Sequence, residues 1–572
     1  MDITMMAGGE AGQGVATVGF LLARVFSRGG YYVFADQDYE SRIRGGHNFF
    51  RVRISDKPVA AISEDVNLLI ALNEETINRH LKKVAGDKTG GVIFDRDGVK
   101  AALGGVIDLG ISMEQLGKTE GGQEGMANSV ATGAALGVVG FDFSLLEQAI
   151  AEQFSSGGEK IVNGNIRAAR AGYDYARKNL PGKVDLTLPV LNRQKRMLLH
   201  GNDAIALGAL AAGCKFMTSY PMTPATSIME YLAGKADEFG MVVLQAEDEI
   251  SAANMTIGAS FTGVRAMAAT SGGGFCLMVE GLGLAGMTET PMVIVESQRP
   301  GPSTGLPTRT EQGDLEFIIH ASQSEFPRFV IAPVNIEDAF YATVQAFNLA
   351  ERYQTPVILI SDQYQAASYG TTDKFDLSTV TIDRGLLADG ESIKKGYKRH
   401  AFTESGISPR AFPGKDGAVV VTTGDEHDEE GHIEEDAGIR TLMVEKRLRK
   451  LEQAKHDMTP PLGYGLKDAE LLLVGWGSSF GAIREAVDIL NQQGISARMI
   501  CLRDIFPFPA ESFAAGFGSP RQAFMVEQNA TAQMAHFIRA ETGIHIENKI
   551  LRYDGRPITP GYIVERIKKE VG

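Results

Sequence analysis

The stretch Met292-Val-Ile-Val-Glu296 decides the fold class, because it is a short, largely β-branched run of the kind that fills a buried strand. Four comparable runs accompany it, at residues 242–244, 265–269, 329–331 and 357–360. Ala- and Gly-rich stretches of helical length separate these runs. Strands that are apolar on both faces and alternate with helices are typical of a buried parallel sheet. We therefore predict an α/β domain over residues 195–375.

The beginning of the chain shows the same alternation. Residues 1–180 open with a short strand, a glycine-rich turn, a helix at 15–26 and a second strand at 31–35, which is a βαβ beginning. The basic, proline-bearing stretch 181–196 follows, breaks helical periodicity and has no apolar face. We predict that it is a linker.

The end of the chain forms a further α/β domain. It begins near Leu471-Leu-Leu-Val-Gly-Trp-Gly-Ser, where a strand again leads into a Gly/Ser turn and a helix. We assign residues 466–572 to this domain. The pattern is looser over residues 376–465, which we predict to be a connecting segment. The chain is thus predicted to be a multidomain α/β protein.

The composition indicates an enzyme of soluble metabolism. The chain has 572 residues, 44% of them hydrophobic, and a formal charge of -15, which disfavours nucleic acid or an anionic membrane as its main partner. Its three cysteines include no CxxC pair and cannot supply the four thiolates of an iron–sulfur cluster. The first residues lack the pattern of a signal peptide, and no apolar run reaches about 18 residues. We expect a cytoplasmic protein.

The most informative polar motif is Tyr220-Pro-Met-Thr-Pro-Ala-Thr-Ser227, between a strand-like stretch and a helix predicted at 228–236. Its two prolines restrict the backbone, and its hydroxyl groups gather at the start of the helix, where free N–H groups favour a carboxylate. The motif therefore suits an oxoacid. The alternative is that Thr226 or Ser227 only caps the helix, and spacing alone favours this alternative.

Two segments further along could contact a cofactor. Glu247-Asp-Glu249 precedes a helical stretch that runs to Gly258, and all three acidic residues could simply decorate the first turn of that helix. Thr270-Ser-Gly-Gly-Gly274 could bring backbone close to a cofactor, or it could be an ordinary strand-to-helix turn. The charge pattern alone does not choose between these interpretations.

A loop dense in proline and glycine carries two arginines. Its sequence is Arg299-Pro-Gly-Pro-Ser-Thr-Gly-Leu-Pro-Thr-Arg-Thr-Glu-Gln-Gly-Asp314. A guanidinium held on such a loop can bind a carboxylate through two parallel hydrogen bonds. Because arginines in loops are usually solvated, the composition of this loop is weak evidence when taken alone.

The N-terminal turn Ala7-Gly-Gly-Glu-Ala-Gly-Gln-Gly14 lies between a strand and a helix and could bind a phosphate or diphosphate through backbone N–H groups. Its glycine spacing does not match the dinucleotide-binding fingerprint. Nearby, Tyr39-Glu-Ser-Arg-Ile-Arg-Gly-Gly-His47 supplies Arg42 and Arg44. These arginines could pair with phosphates, or they could be two solvated charges on a turn.

The acidic run at 425–436 contains His427 and His432 and could bind a metal. No helix or strand spacing organises these side chains as ligands. We predict a solvated loop there and no metal site in this chain.

Taken in order, these motifs resemble those of the thiamine-diphosphate-dependent 2-oxoacid:ferredoxin oxidoreductases. The octet at 220–227 is similar to the family's YPITP motif, the loop at 299–314 to its GPSTGLPTR-x-EQGD stretch, and the two N-terminal segments to its γ domain. The resemblance covers nearly the whole chain, as a γ-type domain, a pyrimidine-type thiamine diphosphate domain and a transketolase C-terminal-like domain, which usually serves assembly. The methionine in the first motif is similar to α subunits that act on 2-oxoglutarate.

The resemblance implies roles for individual residues. Glu249, by its interval from Gly258, would hydrogen-bond N1′ of the aminopyrimidine and so help to remove the C2 proton. Thr223 would contact the substrate, and Arg309 would bind its carboxylate, with Arg299 as the reserve candidate. The remaining site residues that it implies are Tyr220 and Pro221 for the substrate, Ser271, Gly272 and Gly273 for thiamine, and Gly9, Glu10, Gly12, Gln13, Arg42 and Arg44 for coenzyme A.

Two missing patterns indicate a split active site. The chain has no GDG followed further on by an asparagine pair, the pattern that holds Mg²⁺ and the diphosphate in this superfamily, and it has no cluster cysteines. The resemblance thus implies a β subunit that brings Mg²⁺, a [4Fe–4S] cluster and the diphosphate site, in a dimer of αβ heterodimers. The implied reaction is oxidative decarboxylation of 2-oxoglutarate to succinyl-CoA and CO₂ with reduction of ferredoxin, or CO₂ fixation in reverse.

Other functions remain open at this point. The same chemistry could act on pyruvate or branched-chain 2-oxoacids. A non-catalytic assembly subunit is a second class, although a scaffold would not need Glu249, Arg309 and the threonine motif together. A nucleotide-dependent ligase using the N-terminal turn is disfavoured, because that turn lacks a phosphate-binding lysine and an accompanying acidic metal pair.

Overall fold

The structure is a computed structural model that describes residues 1–40, 45–100, 102–122, 125–394 and 396–571. The chain divides into two compact units. Unit 1 consists of Met1–Leu199, Ala367–Lys374 and Thr559–Gly561, and unit 2 consists of His200–Ala366, Phe375–Ile558 and Tyr562–Gly572. The finer division of unit 2 into residues 195–375, 376–465 and 466–572 stays a prediction.

Helices and strands alternate through much of the described chain. The strands are β1 (Asp2–Glu10), β2 (Tyr32–Asp38), β3 (His47–Ser55), β4 (Leu68–Ala71), β5 (Gly91–Phe94), β6 (Ile107–Asp108), β7 (Met197–His200), β8 (Phe216–Ser219), β9 (Val242–Gln245), β10 (Ala266–Thr270), β11 (Met292–Gln298), β12 (Phe329–Ile331), β13 (Pro356–Asp362), β14 (Tyr369–Thr372), β15 (Leu462–Gly465), β16 (Leu471–Trp476), β17 (Ala497–Leu502), β18 (Asp504–Phe506), β19 (Gln522–Glu527) and β20 (Asn548–Leu551). The helices are α1 (Val15–Arg28), α2 (Glu74–His80), α3 (Met113–Gly121), α4 (Ala127–Val139), α5 (Phe143–Gln153), α6 (Glu159–Asn179), α7 (Gly201–Ala211), α8 (Thr226–Ala233), α9 (Ala236–Phe239), α10 (Glu249–Phe261), α11 (Gly272–Met287), α12 (Leu315–Ile319), α13 (Ile336–Tyr353), α14 (Gln363–Ala367), α15 (Gly390–Lys394), α16 (Ala437–Asp457), α17 (Phe480–Gln492), α18 (Ala510–Phe517), α19 (Gln533–Thr542) and α20 (Pro560–Val571).

Unit 1 is built on a mixed sheet with strand order β6-β5-β4-β1-β3-β2-β14-β7. The predicted order of strand, helix and strand is confirmed as β1, α1 and β2, but β1 and β2 are not neighbours in the sheet. Strand β3 lies between them and is antiparallel to both. The pairing places Asp36 directly opposite Arg51, and their buried side chains form two hydrogen bonds, of 2.9 and 2.6 Å. This ion pair between β2 and β3 thus stabilises a strand order that apolar periodicity did not predict.

The prediction of a linker without an apolar face at 181–196 is wrong in part. Val184 and Leu188 are buried in the core of unit 1. The backbone is also tied down, because Leu188 N–H donates to the Val139 carbonyl at 3.0 Å and Leu191 N–H to the Gly29 carbonyl at 2.8 Å. The segment has no regular secondary structure between Leu180 and Arg196, but it is packed along unit 1 rather than solvated.

Unit 2 contains the predicted parallel sheet, with strand order β18-β12-β13-β11-β10-β8-β9. The pairs from β12 to β9 are parallel. Strands β10, β11, β12 and β13 are buried along their whole length, as in a parallel sheet covered on both faces, whereas β9 at the edge is largely exposed. Strand β18 is antiparallel to β12 and comes from the C-terminal part of the chain. This part therefore contributes an edge strand to the central sheet.

A second sheet in unit 2 has the order β15-β17-β16-β19-β20. Its strands β16, β17, β19 and β20 pair in parallel, and β15 is antiparallel at the edge. Trp476, which is 1% exposed, packs in one apolar core together with residues of the central sheet such as Ile294 and Ile358. The two sheets of unit 2 thus share a core.

The connecting segment is held by a buried ionic cluster. Glu289 Oε1 accepts from Lys446 at 2.5 Å, and Glu289 Oε2 forms an ion pair with Lys450 at 2.5 Å. Burial opposes ionisation of Glu289, but the two ammonium groups outweigh it and hold its pKa well below the usual value. The imidazoles of His400 and His427 pack beside this cluster with ring centroids 4.0 Å apart and ring planes tilted by 45°.

The prediction of a solvated acidic run is therefore wrong at its start. His427 is fully buried, and Glu426 pairs with Arg440 and Arg447. Burial opposes ionisation of Glu426, but these guanidinium groups lower its pKa to about 2. Glu289, His400 and His427 lie close enough to share a cation, yet the two ammonium groups already occupy the carboxylate that such a cation would need. His432 is exposed, as predicted.

Among the described residues, no helix combines the length and apolarity needed to cross a membrane.

Candidate active site

The predicted site residues of unit 2 lie at one edge of the central sheet. The Tyr220 motif follows β8, Glu249 follows β9, the Ser271 turn follows β10 and Arg299 follows β11. These strands are parallel neighbours in the order β11-β10-β8-β9, so their carboxyl ends meet. Crevices at the carboxyl ends of parallel strands are where α/β proteins bind ligands. The structure therefore brings together motifs that are about 80 residues apart in sequence.

The Tyr220 motif is fixed by side chains beneath it rather than by helix capping. Asn202 donates from Nδ2 to the Pro224 carbonyl at 2.8 Å and to Ser227 Oγ at 2.9 Å. Helix α8 starts at Thr226, and Ala225 stands at its cap position, where no side chain can cap it. The capping alternative for Thr226 or Ser227 is thus wrong. Tyr220 is 40% exposed at the mouth of the site.

The three acidic residues before α10 have three different environments. Asp248 caps the helix, because its Oδ1 accepts from Ser251 N–H at 2.7 Å. Glu247 is exposed to solvent. Glu249 is only 3% exposed, and its Oε1 has no hydrogen-bond partner within the described part of the chain. Burial without a partner singles out Glu249, since such a group is normally satisfied by a protein or ligand atom.

The glycines after β10 make room for that carboxyl group. A Cβ atom on Gly274 would lie 2.1 Å from Thr270 Oγ1 and 2.5 Å from Glu249 Oε1. Ser271, the residue before α11, is fully buried, and its Oγ also lacks a partner among the described residues. Two orphaned polar atoms therefore face the same glycine turn, which fits a site for a polar cofactor ring.

Replacing Gly274 with alanine is expected to destabilise unit 2 by about 1–3 kcal/mol, because the added methyl group overpacks the space between Thr270 and Glu249. Urea denaturation followed by the fluorescence of the single tryptophan, Trp476, would measure the change. The matched control is Gly258→Ala on α10, where a Cβ meets nothing within 4 Å. That variant is expected to gain up to about 1 kcal/mol from helix propensity, and equal effects of the two substitutions would contradict the close packing.

The two arginines of the 299–314 loop have different surroundings. Arg299 donates from Nη1 to the Thr223 carbonyl at 2.6 Å, so it joins this loop to the Tyr220 motif. Burial lowers the pKa of Arg299. Arg309 packs through its Cβ and Cγ against Gly555, at 3.1 and 3.4 Å from where a Cβ of that glycine would lie. Arg309 is partly exposed, and its Nη1 donates to the Thr308 carbonyl at 3.4 Å.

The C-terminal part of the chain fixes this loop through amide side chains. Gln312 N–H donates to the Gln528 carbonyl at 2.7 Å, and Gln528 N–H donates to Gln312 Oε1 at 3.1 Å. Gln312 Nε2 also donates to the Trp476 carbonyl at 3.1 Å, and Asn529 Nδ2 donates to the Gln312 carbonyl at 3.0 Å. The domain expected to serve assembly thus also positions the loop that carries Arg309.

The sequence analysis missed a group of buried carboxyls behind the site. Glu296 near the end of β11 is fully buried, and Asp362 at the end of β13 is nearly so. Burial raises the pKa of Asp362, whose oxygens accept from Thr310 and Ser478. The sequence signal for these residues was a carboxylate at the end of an otherwise apolar strand. A buried strand rarely carries a carboxylate unless that group serves a site.

The N-terminal turn of unit 1 is shorter than predicted, because Ala7, Gly8, Gly9 and Glu10 belong to β1. Gln13 closes the turn, since its Oε1 accepts from Glu10 N–H at 2.7 Å. Gly12 and Gly14 have φ values of 96° and 79°, which favour glycine. A Cβ atom on Gly9 would lie 2.7 Å from Gln13 Oε1. These contacts hold the turn in one conformation.

Two cavities of about 430 Å³ flank this turn. One is lined by Glu10, Gly12 and Gly14 together with Tyr39 and Asn48, and the other by Gly12 and Gln13 together with Asn73 and Asn128. Helix α1 begins at Val15, so its first N–H groups open towards the turn. Arg42 and Arg44 lie outside the described residues.

Comparison with known proteins gives matches over almost the whole chain. Residues 207–446 match the family described as pyruvate flavodoxin/ferredoxin oxidoreductase, thiamine diP-bdg, residues 4–175 match pyruvate ferredoxin/flavodoxin oxidoreductase, and residues 469–563 match pyruvate:ferredoxin oxidoreductase core domain II. The 2-oxoacid:ferredoxin oxidoreductase subunit alpha of a Sulfolobus species is 34% identical over 100% of this chain and 97% of its own length.

Two further relatives carry a more specific description. The 2-oxoglutarate synthase subunit KorA of Archaeoglobus fulgidus is 33% identical over 65% of this chain and 99% of its own length. The 2-oxoglutarate:ferredoxin oxidoreductase from Magnetococcus marinus, solved with 2-oxoglutarate, coenzyme A and succinyl-CoA bound, is 32% identical, covers 100% of both chains and superimposes with a TM-score of 0.93. The fold class predicted from the sequence is confirmed by these matches.

Proposed function

Because this chain belongs to the 2-oxoacid:ferredoxin oxidoreductase family as an α subunit, we propose that, with a partner subunit, it decarboxylates 2-oxoglutarate oxidatively to succinyl-CoA and CO₂ while ferredoxin is reduced. The observation that carries the proposal is the convergence of Thr223, Glu249, Ser271 and Arg299 at the carboxyl ends of neighbouring parallel strands. The choice of 2-oxoglutarate is supported by the KorA relative and the Magnetococcus marinus enzyme. In reverse, the same chemistry would fix CO₂, as in a reductive TCA cycle. A cytoplasmic location stays a prediction.

The residues present fit thiamine diphosphate, for which this chain contains the binding domain. The unpartnered Oε1 of Glu249 suits a hydrogen bond to N1′ of the aminopyrimidine. At Ser271, Gly272 and Gly273 the backbone can approach the thiamine ring closely. Thiamine diphosphate, when bound, supplies a carbon nucleophile for the ketone and a sink for the electrons left by CO₂. Glu249 would hold a proton at N1′, and its burial would exclude competing water.

Arg309 and Thr223 would hold the 2-oxoacid. Arg309 would bind its carboxylate with two charge-assisted hydrogen bonds, and Thr223 would contact it from the other side of the crevice, next to Tyr220 and Pro221. Arg299 is bonded to the Thr223 carbonyl. It is therefore a better candidate for holding the Tyr220 motif in place than for binding substrate directly.

Coenzyme A would bind unit 1 at the N-terminal turn. The cavities beside Gly12, the left-handed backbone at Gly12 and Gly14, and the start of α1 suit a phosphate-bearing ligand. Gly9, Glu10 and Gln13 shape the turn. Arg42 and Arg44 complete the proposed contacts.

A partner β subunit would complete the active site with the diphosphate site, Mg²⁺ and a [4Fe–4S] cluster, in a dimer of αβ heterodimers. The elements around Glu249 and Ser271 carry exposed apolar side chains, which favours a covered surface there. These side chains are Val242, Leu244, Ile250, Met255 and Leu277.

The full chain alone is expected to be inactive with 2-oxoglutarate, coenzyme A and methyl viologen, and to gain activity when its β partner is added, because half of the cofactor site is missing. Reduction of the dye at constant chain concentration would measure this. Activity of the isolated chain would contradict the split site. Pyruvate and a branched-chain 2-oxoacid, tested in parallel on the complex, would show whether 2-oxoglutarate is preferred.

A further inference from the structure

Glu296 is an ionisable group that the proposed reaction does not use. It lies on β11 directly opposite Thr270 of β10, one residue before the Ser271 turn. The side chain is fully buried, and no N–H or O–H group among the described residues donates to either carboxyl oxygen. An isolated carboxylate in such a position is costly, so the group is expected to be neutral.

Asp314 forms a side-chain hydrogen bond with Glu296 and lies against the Ser271 turn. A Cβ atom on Gly272 would lie 2.3 Å from Asp314 Oδ2, so the carboxyl group rests on the backbone of that turn. The Asp314 N–H donates to Gln298 Oε1 at 3.0 Å. Asp314 is also the last residue of the arginine loop and stands at the cap position of α12. One carboxyl group thus connects the glycine turn with the end of the arginine loop.

The surroundings of the two carboxyls are acidic. Burial and the Asp314 carboxyl raise the pKa of Glu296 well above its usual value, and burial raises the pKa of Asp314 to about 6. The other titratable groups that act on the pair are Asp362 after β13, Cys276 on α11 and Glu311 in the arginine loop. Two neighbouring buried carboxyls cannot both ionise cheaply.

We propose that Glu296 and Asp314 share one proton and act together as positioning residues for the Ser271–Gly273 turn. With the proton in place, Glu296 can donate to Asp314, and Asp314 stays packed on Gly272. Without it, the two carboxylates repel each other, and Asp314, which is partly exposed, is the one able to move. Its movement would displace the turn proposed to hold thiamine diphosphate, so this inference rests on the proposed function.

The shared proton can be tested on the full chain without any cofactor. A carboxyl group with a raised pKa in the folded state binds a proton that the unfolded chain releases, so stability falls as pH rises between the two pKa values. The window starts at the ordinary values, 4.5 for Glu296 and 3.8 for Asp314, and the folded-state pKa is well above the ordinary value for Glu296 and about 6 for Asp314. Glu296→Gln removes the titration of Glu296 and leaves that of Asp314. Between pH 5 and pH 7 the unfolding equilibrium constant of the wild-type chain should therefore rise about tenfold more than that of Glu296→Gln.

Urea denaturation followed by the single tryptophan, which lies in unit 2, would give these constants. Glu247→Gln is the matched control, because Glu247 is an exposed acid in unit 2, and it should keep the wild-type slope. Asp314→Asn should flatten the slope as Glu296→Gln does, which provides a second variant if one of them folds poorly. Wild-type slopes in both variants would overturn the shared proton.

The positioning role needs a separate measurement on the reconstituted complex. The dissociation constant of thiamine diphosphate, with Mg²⁺ present, should rise with pH between 6 and 8 by about tenfold more in the wild type than in Glu296→Gln. Comparing the two proteins removes the cofactor's own titration. The positioning role would be overturned if the dissociation constant changed equally with pH in the wild type and Glu296→Gln while the pH dependence of stability was flattened in the variant. If the wild-type complex binds no thiamine diphosphate, the proposed function fails, and the stability slopes still decide the shared proton.

Discussion

Glu249→Gln is expected to lower the turnover of the reconstituted complex by about 10²-fold or more, as loss of a general acid–base group does. The amide fills the same buried space at the start of α10 and can still contact the cofactor, but it cannot pass a proton to N1′. The loss should therefore appear in kcat for the oxoacid and in the exchange of the thiamine C2 proton with deuterium. Thiamine diphosphate affinity should change much less than either rate.

Glu247→Gln is the matched control for this experiment. It removes the same charge two residues earlier on the chain, but from an exposed side chain. Its turnover should stay within about twofold of the wild type, because exposed charges contribute little. Equal losses in both variants would point to a general electrostatic effect, and an unchanged rate in Glu249→Gln would remove Glu249 from the site.

Arg309→Met is expected to lower kcat/KM for 2-oxoglutarate by about 10²-fold, which corresponds to roughly 3 kcal/mol of lost charge-assisted binding to the carboxylate. Methionine retains the apolar stem that packs against Gly555, so the loop should stay in place. Arg309→Lys should recover only part of the loss, since an ammonium group cannot form the paired hydrogen bonds of a guanidinium. Steady-state kinetics of the three complexes would measure both effects.

The control for the arginine is Arg521→Met. Arg521 is exposed and pairs with Glu470 on the surface of the second sheet in unit 2. It has the same charge and no proposed contact with substrate, so its kcat/KM should equal that of the wild type. If Arg309→Met kept the wild-type kcat/KM, another cation would have to bind the substrate carboxylate, and Arg299 would be the first candidate.

The sequence predicted the sheet of unit 2 well because most of its strands, β10 to β13, are buried on both faces. Strand β11 was found as a continuous apolar run, and β12 was found with its observed bounds. Strand β3 was not predicted, because its sequence is not an uninterrupted apolar run. A cross-strand ion pair between Asp36 and Arg51 stabilises it instead. Periodicity reports burial, and it does not report which strands are neighbours.

The candidate site was predictable where a motif is local and unpredictable where it depends on distant partners. Glu247, Asp248 and Glu249 look alike in the sequence, and only the fold separates an exposed residue, a helix cap and a buried acid. The bond between Gln312 and Gln528 joins residues 216 positions apart, which no spacing rule detects. Glu296 gains its chemical interest only from Asp314, which approaches it from another segment of the chain.

Strand β18 has a consequence for how such chains diverge. The C-terminal part of unit 2 gives the central sheet one of its edges and fastens the arginine loop through Gln528 and Asn529. A homologous segment grafted from another relative must therefore match both the strand edge and the loop, or substrate binding will suffer without any change in the crevice itself. A substitution on one side of these contacts must fit the residue on the other side. We therefore expect recombination within unit 2 to be tolerated less well than point substitution on its surface.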